Sequence, residues 1–387
     1  MQTPKQETGS GRFVQSDASG RKVWAFVPYS LPPPIDLTAL VEPLTQAAQA
    51  LGRLDGITLL LPRPEFFLFM YVRKEAVLSS QIEGTQSTLG ELLRFESDAQ
   101  AGHSVDDLRE VSNYVDATMH GMQQLRDAPL SLELIRELHA RLLQSGRGSG
   151  LSPGQFRHVQ NWIGGTGPAT ALFVPPPPSA LSSCLQDLEA FFQKQPSALP
   201  AIINAGLIHV QFETIHPFRD GNGRIGRLLV TLYLCASGVL SQPMLYLSLF
   251  LKAHRADYYR LLQNVREHAA WTDWLHFFLT GVAETANQAF TAATQLTTLL
   301  REDRQHIVEQ STRANSALRV HESLQQFGYV NASQLADKTG LSAPTVNATL
   351  ADLVRLGLIS EVTGRRRGRV YAYDRYLAIL GEGTEPD

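Results

Sequence analysis

The chain has 387 residues, of which 43% are hydrophobic and 18% are charged, a composition typical of a water-soluble globular protein with two or three domains. Its 34 basic and 37 acidic side chains give a net charge of −3, which excludes a whole-protein field that would draw it to nucleic acid or membranes. No apolar run reaches the roughly 18–20 residues needed to span a bilayer. The two distant cysteines, Cys184 and Cys235, indicate reduced thiols in a cytoplasmic protein.

Helical patterns dominate from residue 36 to about Leu300. Before them, residues 1–35 carry "GSGRF", "DASGRK" and "LPPPI", which predict an extended N-terminal arm. The next segment has helical spacing with a proline inside, and this predicts a break near Glu42. The oily stretch 65–83 predicts a buried helix. Thr88 and Glu91 have the spacing of a capping box, so another helix is expected to begin there.

The helical pattern is interrupted over residues 151–178. Prolines and glycines surround "HVQNWI", which indicates one arm of a β-hairpin, and the run Pro175 to Pro178 predicts a stiff extended connector. Helical spacing then resumes at Leu181 and continues to about Leu300. The sequence therefore predicts a mainly α-helical fold.

The last 75 residues follow the pattern of a winged helix. Two short helices are expected around a turn at Gly340 and Leu341, with Ser342 as the cap of the second. An alternating β-hairpin follows, and its tip "GRRRG" concentrates basic side chains at Arg365, Arg366, Arg367 and Arg369. Such a tip can contact DNA phosphates, but it is equally typical of a solvated hairpin or a protein-contact module.

The stretch "IHPFRDGNGRIGR", residues 215–227, brings several chemical groups onto one turn. Gly221 and Gly223 let backbone N–H groups crowd together at the start of a helix, which makes a cradle for an anion. Arg224 and Arg227 lie one helical turn apart, so both can grip one polyphosphate. Beside the cradle, Asp220 is placed to hold Mg²⁺ against phosphate oxygens, and His216 can accept a proton from an attacking hydroxyl.

Three other interpretations of this stretch are possible. "GNGRIG" has the dinucleotide-binding spacing, but the preceding segment has helical rather than strand periodicity, so that interpretation fails. His209, Glu213 and His216 share a helix face and form a candidate metal site, although a second such set is not evident and a buried hydrogen-bonded pair explains them equally well. A plain glycine-rich turn explains the glycines but not the histidine, the aspartate and the two arginines.

"HPFRDGNGRIGR" resembles the signature of the Fic family, His-Pro-Phe-x-Asp/Glu-Gly-Asn-Gly-Arg-x-x-Arg, at every specified position. "RGSGLSPGQFRHVQNWIGG", "FVPPPP", "MLYLSLF" and "YYRLLQNVR" extend the similarity to members with a C-terminal winged helix. The resemblance implies a Fic-type helical core with a small β-hairpin flap. It also implies transfer of AMP from ATP, with Mg²⁺, to a Ser, Thr or Tyr hydroxyl of a protein target, the enzyme itself among the targets, with release of pyrophosphate. A homodimer and DNA contact through the winged helix are further candidate associations.

The resemblance also implies residue roles. His216 corresponds to the general base, Asp220 to the Mg²⁺ ligand, and Asn222 with the Gly221 and Gly223 amides to the α-phosphate anion hole. The β-phosphate is assigned to Arg224 and the γ-phosphate to Arg227. The remaining candidate nucleotide-binding residues are Gly226, the flap residues Asn161, Trp162, Ile163 and Gly164, and the weaker adenosine-pocket candidates Tyr258 or Tyr259 and Arg266. For the tyrosines, core packing is the simpler explanation.

"SSQIEG", residues 79–84, is similar to the family's inhibitory motif, Ser/Thr-x-x-x-Glu-Gly/Asn. Ser79 and Glu83 lie one helical turn apart, and Gly84 is typical of a helix end. The resemblance implies that Glu83 pairs with Arg227 and occupies the cation meant for the γ-phosphate, so that ATP binds in a non-productive pose.

The expected organisation is an extended arm at 1–35, an N-terminal helical region with the inhibitory motif at 36–105, a catalytic core at 106–285, a connecting helix at 286–312 and a winged helix at 313–387. Two alternative functions stay open from the sequence. One is a hydrolase that removes AMP from modified proteins with Glu83 aligning a water. The other is a DNA-binding regulator that uses the Fic domain to sense a nucleotide.

Overall fold

The structure is a computed structural model, and it describes residues 7–18, 20–58, 61, 63–96, 105–194 and 197–386. The described part is mostly helical and contains two small antiparallel sheets, as the sequence predicts. None of its helices is both long enough and apolar enough to cross a membrane. The helices are α1 (Val41–Thr58), α2 (Pro64–Ile82), α3 (Leu89–Glu96), α4 (Val105–Gln124), α5 (Leu132–Leu142), α6 (Pro178–Gln193), α7 (Ala201–Ile215), α8 (Asn222–Ala236), α9 (Ser248–Ala253), α10 (Arg255–His268), α11 (Trp271–Gln310), α12 (Ala314–Phe327), α13 (Ala332–Thr339), α14 (Ala343–Arg355) and α15 (Asp374–Gly381).

The N-terminal segment forms a sheet, so the prediction of an extended arm over 1–35 is wrong. Strands β1 (Glu7–Thr8), β2 (Gly11–Ala18) and β3 (Arg21–Pro28) pair in that order. The glycines and polar residues suggested an arm, but Gly9 and Gly20 lie in turns, and β3 carries an apolar run from Val23 to Val27. Hydrogen bonds attach the sheet to the core, from the Phe26 amide to the Val174 carbonyl, from the Thr8 hydroxyl to the Arg266 carbonyl and from the Ser16 hydroxyl to the Gln160 side chain.

Helix α2, which carries "SSQI" at its end, is buried almost throughout, as expected for the oily run. Its first residue is Pro64, which suits an N-terminal position because the missing N–H has no intrahelical partner there. Glu83 caps its C-terminus, and Gly84 follows with φ +100°, a conformation that favours glycine. The predicted capping box is also present, since the Thr88 amide donates to Glu91 and the Glu91 amide donates to Thr88.

Helix α7 lies at the centre of the core, where every residue from Ile202 to Ile215 is buried. It packs against α8 and α11, and α1 lies along α11 at the periphery. A 3₁₀ turn at Leu37–Leu40 precedes α1, which confirms the break predicted near Glu42. Helix α11 continues through the boundary predicted between residues 285 and 286. The boundary predicted at 105 adjoins residues 97–104, which lie outside the described chain.

The C-terminal region has the predicted winged-helix arrangement. Helices α12 to α14 are joined by a three-stranded sheet in which β4 (Tyr329–Asn331), between α12 and α13, pairs with β6 (Val370–Ala372), and β6 pairs with β5 (Ser360–Glu361). Ser342 caps α14 by accepting a hydrogen bond from the Thr345 amide, and Gly340 ends α13 in the left-handed conformation. The four arginines of the hairpin tip are exposed.

Candidate active site

The site is built on the loop that joins the buried helices α7 and α8. His216 ends α7 and Gly221 precedes α8, and both have left-handed backbone conformations with φ of 48° and 74°. The Asn222 side chain holds the loop closed, because its Oδ1 accepts from the Phe218 amide at 2.8 Å and its Nδ2 donates to the Phe218 carbonyl at 2.9 Å. In this structure the side chain of Asn222 therefore shapes the loop that carries the predicted anion site.

The backbone of His216 is strained, at a cost of about 1–3 kcal/mol for a residue with a side chain. Two side chains hold it in place. Arg157 Nε donates to the His216 carbonyl at 2.9 Å, and Asn161 Nδ2 donates to the same oxygen at 3.3 Å. Asn161 also reaches the Phe218 carbonyl, so the flap residue is tied to the loop. This anchoring fixes the direction in which the imidazole projects.

The His216 side chain is 20% exposed and lies in a cationic environment. Burial, followed by the nearby Arg266 and Arg157, lowers the pKa of His216 to about 3, whereas Glu83 and the Glu213 carbonyl act in the opposite direction. The imidazole is therefore neutral at neutral pH, which is the protonation state that a general base requires.

Asp220 lies in the loop directly before Gly221, and one of its carboxylate oxygens accepts a hydrogen bond there. Its Oδ1 accepts from the Gly221 amide at 2.7 Å, so in this structure the N–H assigned to the anion hole is hydrogen-bonded to the carboxylate. His139 supports the Asp220 backbone. Its Nδ1 accepts from the Gly154 amide, so its Nε2 donates to the Asp220 carbonyl at 2.9 Å, and burial lowers its pKa to about 4. The same ring stacks on Phe218 at 3.7 Å between centroids.

The first turn of α8 supplies the anion cradle. Helix geometry leaves the N–H groups of Asn222, Gly223 and Arg224 without intrahelical acceptors, and the helix dipole adds partial positive charge. Arg224 is fully buried and donates through Nη1 to Glu110 on α4 at 3.2 Å. The same carboxylate accepts from the Arg147 amide at 3.1 Å. Glu110 thus neutralises and positions a cation that the sequence assigns to phosphate.

Arg227 is buried and bound to the end of α2. Its Nε donates to the Ser79 hydroxyl at 2.8 Å, its Nη2 donates to the Ser79 carbonyl at 2.9 Å, and Nη2 also donates to Glu83 Oε1 at 2.8 Å. Burial acts to raise the pKa of Glu83, but the attraction and hydrogen bond of Arg227 outweigh it and leave that pKa below its usual value. The Glu83 carboxylate is therefore an anion at neutral pH.

Glycine is required where Glu83 meets α8. A β-carbon added to Gly223 would stand 2.3 Å from Glu83 Oε1, so the carboxylate lies directly against the first turn of this helix. Gly226, one turn later, gives similar room to Glu213, whose Oε1 would be 2.4 Å from an added β-carbon. The Gly226 carbonyl also accepts a hydrogen bond from His209 Nδ1. The structure thus gives Gly226 a packing role beside the cleft.

Part of this site faces a cleft of about 620 Å³, a size within the range of small-molecule pockets, whereas Asp220, Asn222 and Arg224 do not line it. One wall is the flap, where Trp162, Ile163 and Gly164 line the cleft and Ile163 makes a single antiparallel bridge with Phe173. The predicted hairpin is thus reduced, in the described chain, to this bridge. Glu83, His216 and Arg227 line the other side.

The candidate adenosine residues close the far end of the cleft. Tyr258 is buried and donates to His209 Nε2, whereas Tyr259 is 45% exposed. Arg266 donates to the Glu213 carbonyl at 3.1 Å, and its guanidinium lies 4.0 Å from the centroid of the Phe173 ring. Arg266 therefore braces the flap against α7.

The alternative metal site is not formed. His209 Nδ1 donates to the Gly226 carbonyl and its Nε2 accepts from Tyr258, so both ring nitrogens are used. Burial lowers the pKa of His209 to about 4, in keeping with a neutral core histidine. Among the described residues no group of three His, Cys, Asp or Glu side chains could hold a metal ion.

Sequence reasoning missed several residues that shape the site. Glu110 and His139 come from segments distant in sequence that no motif marked, and Arg157 lies within "RGSGLSPGQFRHVQNWIGG" but was given no role. Glu213 was considered only as a metal ligand. A buried charge such as Arg224 requires a partner, so an acidic residue in a neighbouring helix could have been expected, but not which one.

Comparisons with known proteins agree with this geometry. Residues 41–123 match the model described as Fic/DOC family N-terminal, residues 129–234 match the Fic/DOC family model, and residues 315–360 match a winged helix-turn-helix DNA-binding model. The protein adenylyltransferase Fic of Aedes aegypti is 30% identical over 240 residues, which cover 58% of this chain and 43% of that protein. The Drosophila grimshawi protein of the same name is 31% identical over 195 residues, 48% of this chain and 36% of that protein.

Solved structures show the same fold. A Fic family protein from Desulfovibrio desulfuricans G20 aligns with a TM-score of 0.57 at 21% identity and covers 89% of this chain and 98% of its own. Fic-1 from C. elegans aligns with a TM-score of 0.50 at 22% identity, covering 67% of this chain and 75% of that one. The chain spans less than half the length of the curated relatives it matches. From its motif, its fold and these matches, the chain carries a Fic/DOC family domain at residues 129–234, preceded by a Fic/DOC family N-terminal region at residues 41–123.

Proposed function

We propose that the protein is a protein adenylyltransferase that transfers AMP from ATP to a Ser, Thr or Tyr hydroxyl of a protein. The observation that carries this proposal is the neutral imidazole of His216, held in a cleft beside the first turn of α8 and the buried Arg227. The target oxygen attacks the α-phosphorus as His216 accepts its proton. The bond between the α-phosphorus and the bridging oxygen breaks, and pyrophosphate leaves with the bonding electrons.

The cationic groups are suited to the charge of a triphosphate. The free N–H groups of the first turn of α8 would hold the α-phosphate, and Arg224 and Arg227 would hold the β- and γ-phosphates. Because both guanidiniums are almost completely buried, their hydrogen bonds to phosphate would be stronger than at a solvent-exposed site. Arg224 keeps Glu110 as a partner, whereas Arg227 must exchange Glu83 for phosphate.

Asp220 fits Mg²⁺ held jointly with the nucleotide. Mg²⁺ typically binds through one or two carboxylates together with substrate phosphates. Asp220 would supply one such carboxylate. When bound, the ion would neutralise phosphate charge as pyrophosphate leaves. The Gly221 amide bound to Oδ1 fixes the orientation of this carboxylate.

We propose that Glu83 inhibits this activity within the same chain. Its carboxylate occupies both the hydrogen-bonding edge of Arg227 and the space over Gly223, where phosphate oxygens would lie. ATP that binds beside it would lack the γ-phosphate contact, so its α-phosphate would not align with the attacking hydroxyl. The target would dock by adding its extended backbone to the flap near Ile163, as peptides do at exposed strand edges.

ATP labelled at either the α- or the γ-phosphate tests the proposed reaction. With Glu83→Gly, the α-label should become attached to protein and the γ-label should not, and adding His216→Ala should abolish the labelling. Attachment of the γ-label would indicate phosphoryl transfer and contradict the proposal. Removal of AMP from a labelled target, with no forward labelling under any condition, would favour the hydrolase instead.

A second proposed function is DNA contact by the winged helix. Residues 315–360 match a model described as DNA-binding, and a groove of about 790 Å³ lies between α14 and the wing. Asn347 and Ala351 line its helical side, and Arg366, Arg367 and Arg369 line the wing side. The wing would contact phosphates while α14 enters a groove of the duplex.

A further inference from the structure

Two buried polar groups beside the reaction centre have no hydrogen-bond partner in the described chain. One is Nδ1 of His216 and the other is Oε1 of Glu213, on the last turn of α7. The carboxylate of Glu213 approaches the imidazole, with Oε2 at 3.9 Å from His216 Nδ1. A buried polar group left without a partner is unfavourable, so two such neighbours in a substrate cleft indicate a contact that tightens in the working complex.

The position of Glu213 is built by its surroundings. Its side chain is 8% exposed, and only the absence of a β-carbon at Gly226 leaves room for Oε1. The backbone carbonyl of Glu213 accepts from Arg266, so the last turn of α7 is fixed from α10. Burial raises the pKa of the Glu213 carboxyl to about 7, with Glu83 adding to this shift and Arg227 opposing it.

We propose that Glu213 is a positioning residue for His216, acting as the acceptor for its Nδ1–H. This inference rests on the proposed function, because it assigns His216 the role of base. With Nδ1 carrying the hydrogen, Nε2 has the free lone pair that accepts the proton of the target hydroxyl. The carboxylate then stabilises the imidazolium that forms, as the third member of a triad does.

The charged groups around the ring make such a partner necessary. Arg266 on α10 and Arg157 on the loop before α6 both oppose a positive charge on His216. Glu83 on α2 favours a positive charge on His216. In the active state, however, its carboxylate has to separate from Arg227. Glu213 then remains as the nearby carboxylate that offsets the two arginines when the imidazole takes up its proton.

The test is Glu213→Gln in the Glu83→Gly background, with kcat and KM for ATP measured separately. We expect kcat to fall by about ten- to a hundred-fold with KM for ATP unchanged, because the lost charge acts on the base and not on the phosphates. Loss of a triad carboxylate can lower kcat by up to about 10⁴-fold. Here we expect a smaller loss, because the backbone carbonyl of Glu213 still faces the ring. Glu213→Asp, which keeps the charge, should recover part of the rate.

Glu137→Gln is the matched control. Glu137 forms a similar pair with His120 at 2.9 Å outside the cleft, so its loss should leave both constants unchanged. An unchanged kcat in Glu213→Gln, or a raised KM with kcat intact, would overturn the proposal, the latter by making Glu213 a nucleotide contact.

The ¹⁵N resonances of the His216 ring give a readout that needs no activity. They should shift in Glu213→Gln and stay in place in Glu137→Gln. If the Glu83→Gly parent transfers no AMP, the proposed function fails, but the ring resonances still decide the contact. Ring resonances that are identical in the parent and in Glu213→Gln would refute it.

Discussion

The contact between Glu83 and Arg227 allows a quantitative prediction. Replacing Glu83 with glycine removes the acceptor at 2.8 Å from Arg227 Nη2 and empties the space over Gly223. Arg227 keeps its two hydrogen bonds to Ser79, so its guanidinium stays aimed at the cleft. We therefore expect AMP transfer to rise, most visibly as self-labelling, without loss of the folded structure.

The size of the increase follows from the kind of bond. A charge-assisted hydrogen bond contributes about 1.5–3 kcal/mol, which corresponds to roughly ten- to a hundred-fold at 1.4 kcal/mol per decade. The Arg227 side chain is 3% exposed but that of Glu83 is 33% exposed, so solvent screens the pair and places the expected gain near the lower end.

The assay is the initial rate of labelling with α-labelled ATP. Glu96→Gln is the matched control, because it breaks another arginine–carboxylate pair of the N-terminal helices, with Arg73 at 2.6 Å, away from the cleft. That control should label at the native rate, and adding Arg227→Ala to Glu83→Gly should cancel the gain. A folded, ATP-binding Glu83→Gly protein that labels no faster than the native chain would refute the inhibitory role.

Four further predictions concern the base, the metal, the titration of the base and the wing. His216→Ala should lower transfer by about 10²–10⁴-fold while ATP binding, measured by calorimetry, stays intact; labelling at the native rate would remove His216 from the mechanism. Asp220→Ala should weaken Mg²⁺-dependent transfer more than metal-free ATP affinity, and activity undiminished by EDTA would contradict this. The pKa of His216 is about 3 when folded, below the ordinary value of about 6.5, so NMR should show no titration of its ring between about pH 5 and 8. Because the unfolded state then binds more protons, this residue lowers the free energy of unfolding as the pH falls below about 6.5. Replacing Arg365, Arg366 and Arg367 together should flatten the salt dependence of DNA binding, and no retention of DNA even at low salt would leave the winged helix as a protein-contact module.

The parts of the site that lie close together in sequence were predictable. The run from His216 to Arg227 fixes its own geometry, since a proline-stiffened turn followed by a glycine and a helix start leaves few conformations. Helix α2 was predictable from its apolar length, and its end from Gly84. The pairing of Glu83 with Arg227 needed the family resemblance, because nothing in the local pattern connects two helices so far apart.

The parts that depend on distant segments were not predictable from local patterns. Glu110 meets Arg224 across 114 residues, and Arg157 reaches the His216 carbonyl from an irregular loop. Such contacts leave no periodic trace, since each is a single buried side chain. The N-terminal sheet was missed because its glycines and polar residues resemble a linker, although β2 and β3 pair along their whole length.

Mass spectrometry of the products tests the central claim most directly. The Glu83→Gly protein would be incubated with ATP and Mg²⁺, and its peptides and the released phosphates would be identified together. The account predicts an adenylyl group on a hydroxyl side chain, an equal amount of pyrophosphate, and neither product when His216→Ala is added. Peptides that gain phosphate, or ATP converted to ADP and phosphate with no modified peptide, would contradict it.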